Sequence, residues 1–260
     1  MYTSPPRKGK AKRRLNVDGS VADGPLAYST EPSASTVPGS DLTIQDYAEL
    51  EARWIDRTLA IQARFRRVDS ITGAEIVGRK GGNYSGMVIP YFRPGSDHVR
   101  EHRLRRDHPD LESDSAGNLK PRQKYLSPPG RSNMFYIVPG MDPALLRDVN
   151  LPVVVTEGEF KALALWRLAN HGSPARPRFL PVGLSGVYNW RGTIGKTVGP
   201  DGSRLDVKGT IPDLDWVAWQ DRKVVIAYDA DAVIKAPVRI ARSELAAHLR
   251  GRGAQVGFFE

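Results

Sequence analysis

Residues 153–165 read VVVTEGEFKALAL, and a change of periodicity inside this stretch decides the fold. The run from Leu151 to Thr156 is apolar and β-branched, as suits a strand buried on both faces. From Glu157 to Asn170 the apolar anchors Ala162, Leu163, Leu165 and Trp166 follow helical spacing. Gly158 stands at the joint and permits a tight turn from strand into helix. The same order returns downstream. Residues 178–182 are a candidate second strand and 223–228 a third; 238–250 form an amphipathic helix entered through Pro237, and 255–259 a fourth strand. Such alternation implies right-handed crossovers and a mainly parallel sheet, with functional groups beyond the carboxyl ends of the strands.

Two of those strand ends carry acid. Glu157 directly follows the first strand, and in residues 224–232, VVIAYDADA, Asp229 and Asp231 lie just beyond the third. Carboxylates two apart at a strand end can lean toward one ion, and a glutamate from a neighbouring strand completes the cluster. Oxygen-only ligands suit Mg²⁺ or Mn²⁺, which keep several waters and also accept phosphate oxygens. Neither half is specific alone, since Glu-Gly after a strand is commonplace and Asp-x-Asp is often a cap. Their joint occurrence in one α/β unit points to a metal site with Glu157, Asp229 and Asp231 as ligands.

A chain of 260 residues with 40% hydrophobic content suffices for one large or two small domains. The absence of cysteine excludes disulfides, iron–sulfur clusters and cysteine-based zinc sites. The basic N-terminus is not followed by an apolar segment, and no apolar run is long enough to span a bilayer, so a cytoplasmic location without a membrane partner is expected. The net charge of +9 is uneven: six of the 38 basic residues precede Asp18, which leaves 32 against 29 acidic ones. Residues 1–40, rich in Pro, Gly, Ser and Lys, read as a disordered basic arm, equally suited to a polyanion and to plain solvation.

Residues 41–150 read as a small α+β subdomain and 151–260 as the parallel-sheet domain. Helical spacing predicts an amphipathic helix over 41–68, with Asp41 as N-cap and room for one break, then a short helix at 72–77. Strands are expected from Met87 (MVIPYF), Val99 (VREHRLRR), Arg122 (RQKYL) and Asn133 (NMFYIV), with 107–118 as a polar loop. On extended backbone Arg103 and Arg105 share one face, and so do Lys120, Arg122 and Lys124. This gives either a row of cations for phosphates or a solvated strand face. The Gly-rich stretch 183–209 reads as a long insertion or loop.

Residues 153–165 and 224–232 together resemble the two signature motifs of the TOPRIM domain shared by bacterial-type primases, topoisomerases and some nucleases. KYLSPPGRSNMFY, from Lys124, is similar to the segment that precedes TOPRIM in bacterial replicative primases. The set IPYF, RLRRD, KYLSPPG, TEGEFKALAL, GLSGVYNWRG and YDADA resembles a TOPRIM-like family of phage and plasmid primase-helicase proteins over about residues 81–260. The resemblance implies a TOPRIM-like α/β fold in which Glu157 is a metal ligand or general acid/base and Asp229 and Asp231 hold Mg²⁺ or Mn²⁺. It further implies that Arg103, Arg105, Arg106, Lys124 and Lys161 face phosphates. The expected partners are single-stranded DNA or another nucleic acid, nucleoside triphosphates and a replicative helicase. The expected activity is primer synthesis, with a TOPRIM nuclease or a noncatalytic nucleic-acid-binding or helicase-docking module as alternatives. TOPRIM domains usually carry further acidic residues after the next strand, where this chain reaches Glu260, so a domain truncated at its C-terminal end is expected. Without cysteines there is no zinc ribbon of the kind many primases use to recognise a template.

Three further patterns invite chemistry and do not support it. RGTIGKT, from Arg191, would put the first glycine of a phosphate-binding loop on Trp190, with no strand before it and no helix after it. His98 and His102 fall in a strand without a third ligand and read as solvated. Asp213 and Asp215 read as the N-terminus of a short helix.

Overall fold

In the computed structural model, which describes residues 36–114, 117–173, 175–229 and 235–259, the first helix, α1 (Ile44–Glu51), starts at Thr43 rather than at Asp41. The Thr43 hydroxyl accepts from the Asp46 amide at 3.1 Å, and the Asp46 carboxylate accepts from the Thr43 amide at 2.8 Å. This reciprocal pair satisfies two otherwise orphaned donors. The helix expected over 41–68 is broken once, as the sequence allowed, and its last residues form a strand instead. Trp54 takes a left-handed conformation (φ 64°), Asp56 caps a new helix, α2 (Arg57–Gln62), and Arg64 (φ 54°) turns the chain into β1 (Arg66–Val68). Helical spacing persists across the break because both pieces bury apolar residues, Leu50, Leu59 and Ala60, in one core. α3 (Ser70–Ile76), capped by Asp69, lies where the short helix was expected. The expected N-terminal arm falls outside the described residues as far as position 35, whereas Val37 and Ser40 already belong to the fold.

β2 (Gly86–Phe92) and β3 (Val99–Arg106) form the antiparallel pair that the sequence predicts. The 107–118 stretch is not a loop: β4 (Asp110–Ser113) and β5 (Leu119–Arg122) make an exposed hairpin. With neither face buried it has no apolar alternation to reveal it. The strand expected over 122–126 is interrupted at Gln123 (φ 51°), leaving β6 (Tyr125–Leu126) to pair with β3. The sheet order is β1-β2-β3-β6. β2 is buried throughout because both of its faces are covered. Met87, Ile89 and Tyr91 pack with α1 and α2, while Val88 packs with Val77, Tyr84 and Leu104.

Residues 133–138, expected as a strand, make one antiparallel bridge, Tyr136 with Gly183. Their alternation nevertheless has a cause. Phe135 and Ile137 enter the core of the parallel sheet, whereas Tyr136 and Val138 enter the core shared with α1 and α2. The segment is a wedge between two cores rather than a rung of a ladder.

The second sheet is built by β7 (Val153–Glu157), α4 (Glu159–Asn170), β8 (Leu180–Leu184), β11 (Lys223–Ala227), α5 (Ala236–Gly251) and β12 (Gln255–Phe258). All neighbours are parallel, in the order β12-β11-β7-β8. The fold is therefore α/β, with a mainly parallel sheet preceded by a small α+β part. Between β8 and β11, where a loop was expected, β9 (Arg191–Val198) and β10 (Arg204–Thr210) form an exposed hairpin whose many glycines hide it from a strand pattern. Gly183 sits at a close approach: a Cβ there would lie 3.1 Å from the Tyr136 Cβ and 3.2 Å from the Ala162 Cβ. The described residues form one compact unit, because α4 packs on β7 and β8 while its Ala162 and Leu163 belong to the core containing α1 and α2. Among the described residues no helix is long and apolar enough to cross a membrane.

Candidate functional site

The chain leaves β7 through α4 to one side, forming β8, then returns past β7 to lay down β11 and β12 on the other side. The reversal opens a crevice beyond the carboxyl ends of β7 and β11, where open α/β sheets place their ligands. Glu157 is the last residue of β7, and Asp229 follows β11 by two residues. Gly158, at φ 84°, turns the chain from β7 into α4, and its amide bonds the Leu184 carbonyl at 2.5 Å, so the turn is tied to the end of β8.

The two carboxylates meet through a cation and an amide. Glu157 Oε1 accepts from the Asp229 amide at 2.9 Å and from Lys161 Nζ at 3.0 Å, and Lys161 Nζ also pairs with Asp229 Oδ1. Lys161 reaches both because it lies one helical turn beyond Glu157. Burial opposes ionisation of Asp229, but hydrogen bonds involving Lys161 and Glu157, and the charges of Lys161 and Lys235, hold its carboxyl below the ordinary range. Nearby, burial and the charge of Glu157 push the Tyr228 phenol up, and its hydroxyl donates to the Val187 carbonyl at 3.2 Å.

A pocket of about 490 Å³ opens beside this pair, lined on the sheet side by Glu157, Lys161, Asp229, Ser185 and Gly186. Arg53, Arg103 and Tyr125 supply the wall from the N-terminal part of the chain. Arg103 is held from three directions. It donates to Glu159 Oε1 at 2.6 Å and to the Ser185 carbonyl at 3.0 Å, and its guanidinium lies 4.9 Å from the Tyr125 ring centre. Glu159, only 2% exposed, also accepts from the Tyr91 hydroxyl. Arg105 pairs with Glu49 at 3.5 Å and lies over Phe160. Burial, then the positive charges of Arg105 and Arg53, lower the pKa of the Lys124 ammonium.

The structure thus brings Glu157, Asp229, Lys161 and Arg103 to one crevice, with Arg105 over Phe160 beside it; Lys124 does not line the pocket. Arg106, expected with them, is not brought there. As the residue after Arg105 on extended backbone it turns to the opposite face, where it is buried against Tyr84 and donates to Asp110 and the Asn83 carbonyl. Asp231 lies outside the described residues. Among the described residues no three His, Asp or Glu side chains gather as a metal site. Glu157 and Asp229 still fit a hard cation by their chemistry: both offer carboxylate oxygen, and they already stabilise a positive charge between them.

Asp213, expected to begin a short helix, opens a 3₁₀ turn and also joins distant segments. Buried, it accepts both arms of Arg100 at 2.8 and 2.9 Å and the Phe135 amide at 2.9 Å. His102, expected to be solvated, is half-buried and has its pKa lowered by that burial. Glu159, Arg53, Tyr125, Phe160 and Ser185 were not singled out from sequence. Glu159 alone left a signal, as the second acid of TEGEF at a helix start, where a solvated glutamate is the ordinary reading.

Residues 143–260, which contain the whole parallel sheet, match the family described as Domain of unknown function (DUF3854). No curated protein matches the chain. A solved structure, the crystal structure of the Aquifex aeolicus primase (zinc binding and RNA polymerase domains), is similar at 16% identity with a TM-score of 0.48, over 83% of this chain and 49% of that one. The chain spans about half the length of that primase chain.

Proposed function

We propose that this chain carries out phosphoryl transfer on nucleic acid with a divalent cation, most concretely primer synthesis from nucleoside triphosphates on single-stranded DNA. The observation that carries the reading is the junction of Glu157 and Asp229 through Lys161 at the switch point of the parallel sheet, facing a pocket walled by Arg53 and Arg103. Glu157 and Asp229, with Asp231 as the further ligand that the TOPRIM resemblance implies, would hold Mg²⁺ or Mn²⁺. The cation would supply charge neutralisation at the phosphates and orient the attacking hydroxyl. Lys161, freed from the carboxylates, would then turn its ammonium to a phosphate oxygen. Arg103, fixed by Glu159 and the Ser185 carbonyl, keeps its charge at the pocket wall without reorganising. Arg53 and Lys124 would bind the nucleic-acid backbone as point charges.

The test is incubation of the chain with single-stranded DNA, labelled nucleoside triphosphates and Mg²⁺ or Mn²⁺, with extension and cleavage scored in one gel. Extension that is lost in Asp229→Asn is the expected result. Cleavage without extension would assign a nuclease. Nucleic-acid binding without either reaction would assign a noncatalytic module.

A further inference from the structure

The pocket beside Glu157 and Asp229 is not uniformly polar. α4 contributes Phe160 and Ala164, one turn apart and therefore on one stripe of the helix, and β6 contributes Tyr125. Inorganic phosphate or pyrophosphate would use only the cations. An aromatic ring beside a small side chain offers instead an apolar strip on the pocket wall. Phe160 packs against Phe65 with ring centres 5.6 Å apart and also lines the pocket, so its position is braced from the core. Arg105 lies 5.6 Å from the Phe160 ring centre and Arg103 lies 4.9 Å from that of Tyr125. Such alternation of guanidinium planes and aromatic rings suits the stacking of a heterocyclic base. The volume, about 490 Å³, is that of a site for one small molecule rather than a groove for several nucleotides.

We infer that Phe160, with Ala164 and Tyr125, forms the base-binding half of a nucleoside triphosphate site whose phosphate half is made by Lys161, Arg103 and the Glu157–Asp229 pair. The inference rests on the phosphoryl-transfer reading and adds a specificity surface to it. Stacking of this kind tolerates any base, so the site would discriminate nucleotides from bare polyphosphates and not one base from another.

The experiment is calorimetric titration, with Mg²⁺ present, of ATP and of tripolyphosphate into the full chain and into Phe160→Leu and Ala164→Leu. Leucine at 160 retains an apolar side chain toward Phe65 while removing the aromatic face; leucine at 164 adds bulk to the same pocket wall. Both variants are expected to weaken ATP by between about five- and about a hundredfold, the range for loss of one stacked base, and to leave tripolyphosphate binding unchanged. Thermal unfolding of each variant checks that the fold persists. If both variants fold and ATP and tripolyphosphate weaken in parallel, or neither weakens, the base site is overturned while the phosphate half stands. If the parent binds neither probe, the phosphoryl-transfer reading falls together with it.

Discussion

Lys161 lies between Glu157 and Asp229, in the place that the proposed function gives to a divalent cation, and would compete with it. Both pairs are partly exposed, so each is worth at most ~1 kcal/mol. Lys161→Met is therefore expected to tighten Mn²⁺ binding by about fivefold, measured by electron paramagnetic resonance of free Mn²⁺; unchanged or weaker binding would show that the lysine does not occupy the cation position. The buried pair of Arg103 and Glu159 carries the opposite expectation. Glu159→Gln leaves a guanidinium without its counter-charge and should cost about 3 kcal/mol or more, read from denaturant unfolding. The double variant with Arg103→Met should recover part of that loss. Glu157 and Asp229 were legible because an acid at the end of a buried strand stands out against an apolar run. Glu159 was not, because nothing in a linear pattern tells a helix-start glutamate in solvent from one covered by Tyr91 and Arg103. Arg106 illustrates the period-2 rule: adjacency to Arg105 in sequence places it on the other side of the sheet.

Element by element, the strands and helices that bury a continuous face were readable, and the two exposed hairpins were not. β9–β10 and β4–β5 lie in solvent, with no core to impose a hydrophobic pattern. A break between α1 and α2 was allowed for but could not be placed, because anchors on either side face one core, and the cap at Thr43 was missed because Asp41 offers the same chemistry two residues earlier. That cap has a consequence for pH. Burial opposes ionisation of Asp46, but hydrogen bonds from Arg67 and Thr43 outweigh it and hold its pKa below the ordinary value. A carboxyl depressed in the native state stabilises it above the unfolded pKa, about 3.9, and loses that contribution as pH falls through the native pKa. Asp46→Asn should be less stable than the parent at pH 6, and the gap should close below about pH 4; a gap independent of pH would mean that the carboxylate charge is not what ties α1 to β1. Arg222 is the cation that no pattern announces. Fully buried, it donates to the carbonyls of Leu145, Leu146 and Leu151, its pKa lowered by burial to about 10, and it stitches the segment before β7 to the turn before β11.

At the scale of the molecule, two cores meet along α4 and residues 133–138, and the crevice lies at their junction, with one wall from each. The parallel sheet and its acidic ends were legible as local grammar. Of the facing wall only Arg103 was singled out, because Arg53, in the turn after α1, and Tyr125, on β6, reach it only in the fold. The charge on this side should be visible in binding. On single-stranded DNA, Arg53→Gln with Lys124→Gln should flatten the slope of log K against log salt by about 0.7 for each phosphate that is no longer neutralised; an unchanged slope would return both residues to a solvated face. The claim on which the functional account turns is that Glu157 and Asp229 bind a divalent cation. The most direct measurement is Mn²⁺ titration followed by electron paramagnetic resonance for the parent, Glu157→Gln and Asp229→Asn. The account predicts saturable binding in the parent, weakened about tenfold or more in either variant by loss of an anionic ligand, with thermal stability of the apo proteins preserved. Equal Mn²⁺ binding by all three proteins, or none by the parent, would contradict it.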